Sequence, residues 1–385
     1  MSDLDHLIDN VLDLRREAHL LRSRRVFTPI DSTHVLFDGR RLTNFCSNDY
    51  LGLTHHPRML AAIREVYQAG AGAAGLISGH SPMHASAEAA IAKWKQTEAA
   101  LLMPSGYQAN LAAIQTLHAI AVSGGRAIRF IVDKLAHASL IDAIRQTAAP
   151  MRVYPHNGVD KLARLLNDAP ADELQVVVTE SIFSMDGDAA DLPAIVALKN
   201  RREFVLVVDE AHGSGVYGPG GSGLVAELGL REGVDISIIT LSKTLGIAGG
   251  AICASRRLID AVLNLGRAYI YSTAISPIIA RLATEAIAIL HDEPQRQIRI
   301  REIARRVRAE LNNKGVSIPP GDSPIIPVRM DTEERAIIEA ERLADRGMLI
   351  MPVRPPTVPR GTSRLRVTLS SQHTDADVSK LIAAL

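Results

Sequence analysis

The chain has 385 residues, with 43 Lys and Arg against 42 Asp and Glu, a formal charge of +1, and a composition that is 47% hydrophobic, 22% charged and 4% aromatic. A chain of this length buries about 75% of its unfolded surface and needs no disulfide or metal staple. The ordinary globular composition excludes wholesale disorder, and the balanced charge and scarce aromatics argue against a nucleic-acid partner or a base-stacking platform.

The chain opens on an acidic stretch, Met1-Ser2-Asp3-Leu4-Asp5, that leads into an amphipathic helix expected over Leu4 to Arg25 rather than into a signal peptide. Val35 to Phe37, Asp38-Gly39 and Leu42 to Phe45 read as strand, tight turn and strand. The stretch Ala99 to Gly125 lacks charged residues, but its Pro, Ser, Gly, Gln and Asn rule out a membrane span. From about residue 55, short apolar runs (128–132, 176–179, 205–208, 236–241 and 249–253) alternate with helical segments such as 137–147 and 192–200. Near-continuous apolar strands are buried on both faces, which predicts an α/β architecture with a parallel or mostly parallel sheet between helices. Beyond residue 275, two long helices (278–289 and 297–312) precede short strands and helices, which suggests a smaller α+β C-terminal domain. The expected division is 1–54, 55–274 and 275–385. The two cysteines, Cys46 and Cys253, have neither redox nor zinc spacing and read as small hydrophobes in a reducing compartment. The expectation is a cytoplasmic enzyme with no metal, no nucleic-acid partner and no membrane partner.

The chemistry gathers at strand ends. Val205 to Val208 leads to Asp209, with His212 three residues on, and Ile236 to Thr240 leads to Leu241-Ser242-Lys243. Open α/β sheets bind ligands beyond the carboxyl ends of their strands. Asp209 alone fits an ordinary cap as well as a site carboxylate, and most lysines are exposed loop residues. Together they suit pyridoxal phosphate, whose aldehyde needs an amine and whose ring nitrogen needs a carboxylate. Ser105-Gly106-Tyr107, ahead of a helical segment, is a candidate phosphate site. His137, just after the 128–132 strand, is a candidate stacking partner for the ring.

These residues carry a resemblance. Ser47-Asn48-Asp49-Tyr50-Leu51-Gly52-Leu53, Phe183-Ser184-Met185-Asp186-Gly187-Asp188, Asp209-Glu210-Ala211-His212-Gly213 and Thr240-Leu241-Ser242-Lys243 resemble, in order and spacing, motifs of the α-oxoamine synthases. The resemblance implies the aspartate aminotransferase-like fold type I, with a mostly parallel seven-stranded sheet in the large domain, a smaller C-terminal domain and a homodimer. It also implies a decarboxylating condensation of an amino acid with an acyl thioester. Arg354-Pro355-Pro356-Thr357-Val358-Pro359 and Thr362-Ser363-Arg364-Leu365-Arg366 are similar to the branch that uses L-alanine and a pimeloyl thioester.

Carried over residue by residue, Lys243 matches the lysine that holds the cofactor and moves protons. Asp209 matches the partner of the ring nitrogen, and His137 the stacking histidine that also faces the substrate. His212 and Ser184 match contacts to the ring and its phenolic oxygen, Gly106 and Tyr107 match contacts around the cofactor, and Thr240 matches a phosphate contact. Ser272 and Thr273 match a loop that reaches the partner subunit's phosphate. Arg22, Asn48 and Thr357 match substrate contacts, and Arg366 matches the carboxylate clamp. A guanidinium fork suits an amino-acid carboxylate on chemical grounds as well. Arg366 is preferred to Arg364 on the expectation that the two face opposite sides of a strand and that Arg364 is a surface charge.

The chain also departs from the family pattern. Ala73 and Ala74 stand where the family's Gly/Ser-rich loop carries a small hydroxyl, Ala87-Glu88 replaces a usual Leu-Glu, and Lys95-Gln96-Thr97-Glu98 lacks a usual glycine. Rival readings are a glycine C-acetyltransferase, a synthase for long acyl chains, an aminotransferase on the same fold and a non-catalytic partner subunit.

Overall fold

The computed structural model describes residues 2–170 and 172–385. The chain forms two compact units. The larger takes Asn48–Ser184 and Asp188–Arg301; the smaller takes the chain up to Ser47, Met185–Gly187 and Glu302–Leu385. The helix Pro277–Asp292 lies within the larger unit, and the passage from one unit to the other falls inside the helix Gln295–Asn313.

The larger unit is built on a seven-stranded sheet. Its strands in chain order are β1 (Ala99–Met103), β2 (Ile128–Asp133), β3 (Met151–Tyr154), β4 (Leu174–Glu180), β5 (Val205–Asp209), β6 (Ile236–Thr240) and β7 (Gly250–Ala254). The spatial order is β1-β7-β6-β5-β4-β2-β3. Only β7 runs against the others, antiparallel to both β6 and β1. The carboxyl ends of the other strands therefore share one edge of the sheet, which is where the parallel architecture opens a crevice.

The apolar runs explain the core. Phe130, Val132, Val176, Val178, Val207, Ile238 and Ile252 are fully or almost fully buried and form one cluster with Ala109, Ala112, Ala113 and Leu117 of the helix Gly106–Ser123. Its alanine-rich face lets the helix backbone lie close to the sheet. Two strands escape the sequence reading. Ala99-Ala-Leu-Leu-Met is composed of helix formers and contains no β-branched residue, yet all five residues are buried between β7 and the helix Pro82–Lys95; tertiary context overrides propensity there. β3 is a four-residue edge strand with two exposed positions, too short for a clear alternation.

The smaller unit draws on both ends of the chain. His34–Phe37 and Arg40–Asn44 form the expected hairpin, and Arg40–Asn44 pairs in parallel with Met348–Leu349. A second sheet runs antiparallel in the order Ile325–Asp331, Ser363–Thr368, Met351–Val353. The N-terminal helix ends at Glu17 rather than Arg25, and His19 adopts a left-handed φ of 54° just after it. Both cysteines are free, and burial pushes each thiol up to about 12, consistent with inert packing residues.

Candidate active site

Four parallel strands end in polar residues at the shared edge: Asp133 on β2, Glu180 on β4, Asp209 on β5 and Thr240 on β6. Three of the candidates read from the sequence follow directly after three of these ends: His137 after β2, His212 after β5 and Lys243 after β6. Glu180 and Asp209 are register partners across β4 and β5, so their carboxyl groups emerge on the same face.

Asp209 is buried and accepts two hydrogen bonds, from the Ala211 N–H to Oδ1 at 2.9 Å and from Asn110 Nδ2 to Oδ2 at 2.8 Å. A carboxylate has four lone-pair sites, so these bonds anchor it and still leave acceptor capacity. His137 caps the helix Ala138–Thr147, its Nδ1 accepting the Ser139 N–H at 3.2 Å and lying 2.7 Å from Ser139 Oγ. Burial and the nearby Lys243 cation lower the His137 pKa against the opposing pull of Asp209. Burial, reinforced by Asp209, holds the Glu180 carboxyl well above the usual range, against the pull of Lys243. His137, Asp209, Glu180 and Lys243 thus lie close enough for their charges to act on one another. Lys243 is half-buried in the bend after β6, and Gly246 N–H donates to its carbonyl at 2.9 Å.

The candidate phosphate end is equally local. Ser105 caps the helix Gly106–Ser123 through a bond from Gln108 N–H at 3.1 Å. A Cβ at Gly250 would lie 2.6 Å from the Gly106 nitrogen, and one at Gly106 would lie 3.2 Å from Thr240 Cβ. These close approaches seat the start of the helix against the end of β6, so that its N–H groups and the Thr240 hydroxyl lie together. Thr240 Oγ1 is 2.9 Å from Ser242 Oγ. Tyr107 is exposed, and its hydroxyl donates to Asp142 at 3.0 Å.

His212 is buried, with Nδ1 2.6 Å from the Tyr50 hydroxyl, which also lies 3.3 Å from Asn48 Oδ1. Ser184 is buried four residues past the end of β4, and its backbone bonds the Glu180 carboxyl. Ser272 and Thr273 join a separate cluster. They line a small pocket with His80, His84, Glu88 and Pro104, and Thr273-Ala274 runs alongside Ala73-Ala74 through the Ala274 N–H to Ala73 carbonyl bond of 3.0 Å. The two alanines that replace a hydroxyl thus serve as backbone partners of that loop.

Arg22, Thr357 and Arg366 belong to the smaller unit. Arg22 Nη2 donates to Thr357 Oγ1 at 3.1 Å. Arg366 is buried in the centre of Ser363–Thr368, between Pro327 and Met351. The expectation for Arg364 is corrected. Two residues apart on one strand, Arg364 and Arg366 share a face, and Arg364 is buried, paired with the Asp186 carboxylate and with the Met185 carbonyl.

Sequence reasoning missed Tyr50, Asn110, Ser139 and Glu180. Tyr50 sits inside a motif already quoted, whereas Asn110, Ser139 and Glu180 acquire meaning only through partners distant in sequence. The donor set of amine, buried carboxylate, imidazole and helix start fits pyridoxal phosphate.

Comparison with known proteins agrees. A family model for class I and II aminotransferases matches residues 40–385. The 8-amino-7-oxononanoate synthase of Alkalilimnicola ehrlichii is 40% identical over 387 residues, covering 99% of this chain and 97% of the relative. That of Anaeromyxobacter dehalogenans is 42% identical over 369 residues, covering 95% and 91%. Among solved structures, SPT (serine palmitoyltransferase) with pyridoxal phosphate superposes with a TM-score of 0.91 at 28% identity, covering 100% of this chain and 97% of that one. The chain belongs to the class I and II aminotransferase family, in its fold type I α-oxoamine synthase branch.

Proposed function

We propose that this enzyme, a pyridoxal phosphate-dependent acyltransferase, condenses L-alanine with a pimeloyl thioester, carried by CoA or a carrier protein, to give 8-amino-7-oxononanoate for biotin biosynthesis. The carrying observation is that Asp209 closes β5 while His137 and Lys243 follow the ends of β2 and β6, all at the carboxyl edge of one sheet, in a chain about 40% identical to curated 8-amino-7-oxononanoate synthases over nearly its whole length. The Arg354–Pro359 motif supports the choice of alanine and a pimeloyl group. The new bond joins the alanine Cα to the acyl carbonyl carbon; the thiolate departs, the alanine carboxylate leaves as carbon dioxide, and a proton returns to Cα.

When bound, pyridoxal phosphate supplies an electron sink for the charge that develops on Cα. The chain's own residues supply the rest. The Lys243 amine would hold the cofactor and carry the Cα proton. Asp209, held by the Ala211 N–H and Asn110, would place its carboxylate against the ring nitrogen. His137 would stack on the ring and present its imidazole to the substrate. His212 and Ser184 would contact the ring and its phenolic oxygen, while the N–H groups at Gly106 and Tyr107 and the Thr240 hydroxyl would hold the phosphate. Arg366 orients the alanine carboxylate, and Arg22, Asn48 and Thr357 contact substrate.

The working form we propose is a homodimer in which Ser272 and Thr273 reach the partner subunit's phosphate. It is supported by apolar side chains left in solvent: Leu4, Leu7, Val11 and Leu14 on a helix that buries none of its residues, Ile77 at 80% exposure, and Tyr271 at 73% beside that loop. Among the described residues no helix is long and apolar enough to cross a membrane.

The TM-score of 0.91 against serine palmitoyltransferase favours one second reading, a synthase for long acyl chains. The test incubates the cofactor-loaded protein with alanine, glycine and serine, each paired with pimeloyl-, acetyl- and palmitoyl-CoA, and weighs the products. Alanine with pimeloyl-CoA is expected to dominate. Serine with palmitoyl-CoA would establish the second reading, and glycine with acetyl-CoA would overturn both.

A further inference from the structure

Asn110 links Asp209 to His137 through Ser139. Asn110 and Ser139 are buried at 2% and 1% exposure. Asn110 Nδ2 lies 2.8 Å from Asp209 Oδ2 and 2.9 Å from Ser139 Oγ, one hydrogen for each. Turning the amide would press its oxygen against the Asp209 carboxylate. Its Oδ1 has no hydrogen-bond partner among the described residues, so the two donors alone set its orientation.

The direction of the next bond follows. Ser139 Oγ already accepts from Asn110, and its other hydrogen-bond neighbour among the described residues is His137 Nδ1 at 2.7 Å. The hydroxyl hydrogen therefore points to Nδ1. The Ser139 N–H also donates to Nδ1, at 3.2 Å. A ring nitrogen that accepts from two donors carries no proton of its own, and the neutral imidazole then holds its hydrogen on the other nitrogen.

We propose that Asn110 and Ser139 form a one-way hydrogen-bond relay, anchored on Asp209, that holds His137 as the neutral imidazole protonated on Nε2. Asn110 and Ser139 are positioning residues. The Asn110 donor forces the Ser139 hydroxyl outward, so that this hydroxyl cannot turn to accept a hydrogen from a protonated Nδ1. The charged and titratable groups around His137 are Asp209, Lys243 and Asp142, with Glu180 bonded to the His137 backbone. The relay presents an Nε2–H donor to whatever lies against the ring. Its catalytic meaning rests on the reading of His137 as the residue facing cofactor and substrate.

The test is nuclear magnetic resonance of cofactor-loaded protein carrying ring-¹⁵N histidine, with the His137 signal assigned by its loss in His137→Asn. Wild type is expected to show the Nε2–H form at neutral pH. In Asn110→Ala the freed hydroxyl accepts from Nδ1–H, and the His137 titration midpoint moves up by about one pH unit, roughly tenfold in the protonation equilibrium. In a Ser139→Ala background, Asn110→Ala should produce no further move, and Ser139→Thr should restore the wild-type midpoint. A wild-type ring protonated on Nδ1 would overturn the relay. So would an equal Asn110→Ala effect with and without the Ser139 hydroxyl, which would mean that Asn110 acts through the charge of Asp209 alone. The wild-type measurement needs no variant to fold, and the spectra do not depend on which acyl thioester the enzyme takes.

Discussion

Asp209 is held in place by two donors before any ring nitrogen reaches it, so exchanging its charge leaves its position intact. Asp209→Asn is expected to bind the cofactor and keep its fold while condensation falls about 10²- to 10³-fold, the usual scale when a preorganised electrostatic partner is lost; absorbance titration and single-turnover assays separate the two effects. Arg366 belongs to the same scale. Removing its guanidinium from a buried strand centre should weaken alanine binding by about 2–5 kcal/mol, seen as a rise in KM for alanine with borohydride labelling of Lys243 unchanged. Lys243 and Asp209 were legible in the sequence because each closes an apolar run and strand ends carry chemistry in this architecture. Asn110 and Ser139 were not, since an Asn inside a helix and a Ser after a His have no signature until folding sets them 2.9 Å apart. Arg364 failed for a different reason: its period-two spacing from Arg366 already placed both on one face, and its partner Asp186 is far away in sequence.

Between elements, the departures from the family pattern become structural facts. Lys95, in the segment that lacks a usual glycine, is buried with its Nζ 2.7 Å from Glu210 and 3.1 Å from Ser214 Oγ, and it also bonds the Ser222 carbonyl. Glu210 in turn accepts the Val225 N–H at 3.0 Å. The pair fixes the residue next to Asp209 to the end of the Pro82–Lys95 helix. Lys95→Met would strand a buried carboxylate and is expected to cost about 3–5 kcal/mol, measured as a lower urea midpoint, with Glu210→Gln in the same chain recovering part of the loss. The segment between β4 and Asp188 has its own clamp. His156 lies between Asp133, 3.1 Å from Nδ1, and Asp188, 2.7 Å from Nε2. Burial opposes a charge on His156, but the bonds to Asp133 and Asp188 outweigh it and push its pKa up to about 10. A folded value above the unfolded one of roughly 6.5 makes the contribution complete below about pH 6.5 and lost as pH rises towards 10. Urea unfolding across that window should show stability falling, and His156→Gln should flatten the slope. The strands were within reach of the sequence wherever apolar, β-branched runs marked them. β1 was hidden because its Ala-Leu-Met composition speaks for a helix while its neighbours make it a strand.

Over the whole molecule, the exposed apolar residues of the first helix, with Ile77 and Tyr271, predict a dimer. Sedimentation should report twice the chain mass, and Tyr271→Asp should shift the equilibrium towards monomer. Only the resemblance had suggested a dimer, since a single chain's periodicity does not say which apolar face meets a second copy. The make-up of the smaller unit has a further consequence. Its strand Arg40–Asn44 takes Met348–Leu349 as a partner, and Thr368 N–H donates to the Phe45 carbonyl at 2.8 Å. On a ribosome that adds about 5–20 residues per second, the first hairpin emerges on the order of tens of seconds before the segments that complete its sheet. Through that interval its outer edge must stay unpaired without recruiting another nascent chain. Arg40 and Arg41, both exposed on that strand, put positive charge on the waiting edge, a device that discourages strand-to-strand aggregation. The same arginines, which pair with Asp345 and Asp31 in the finished chain, thus have an earlier use while it is still being translated.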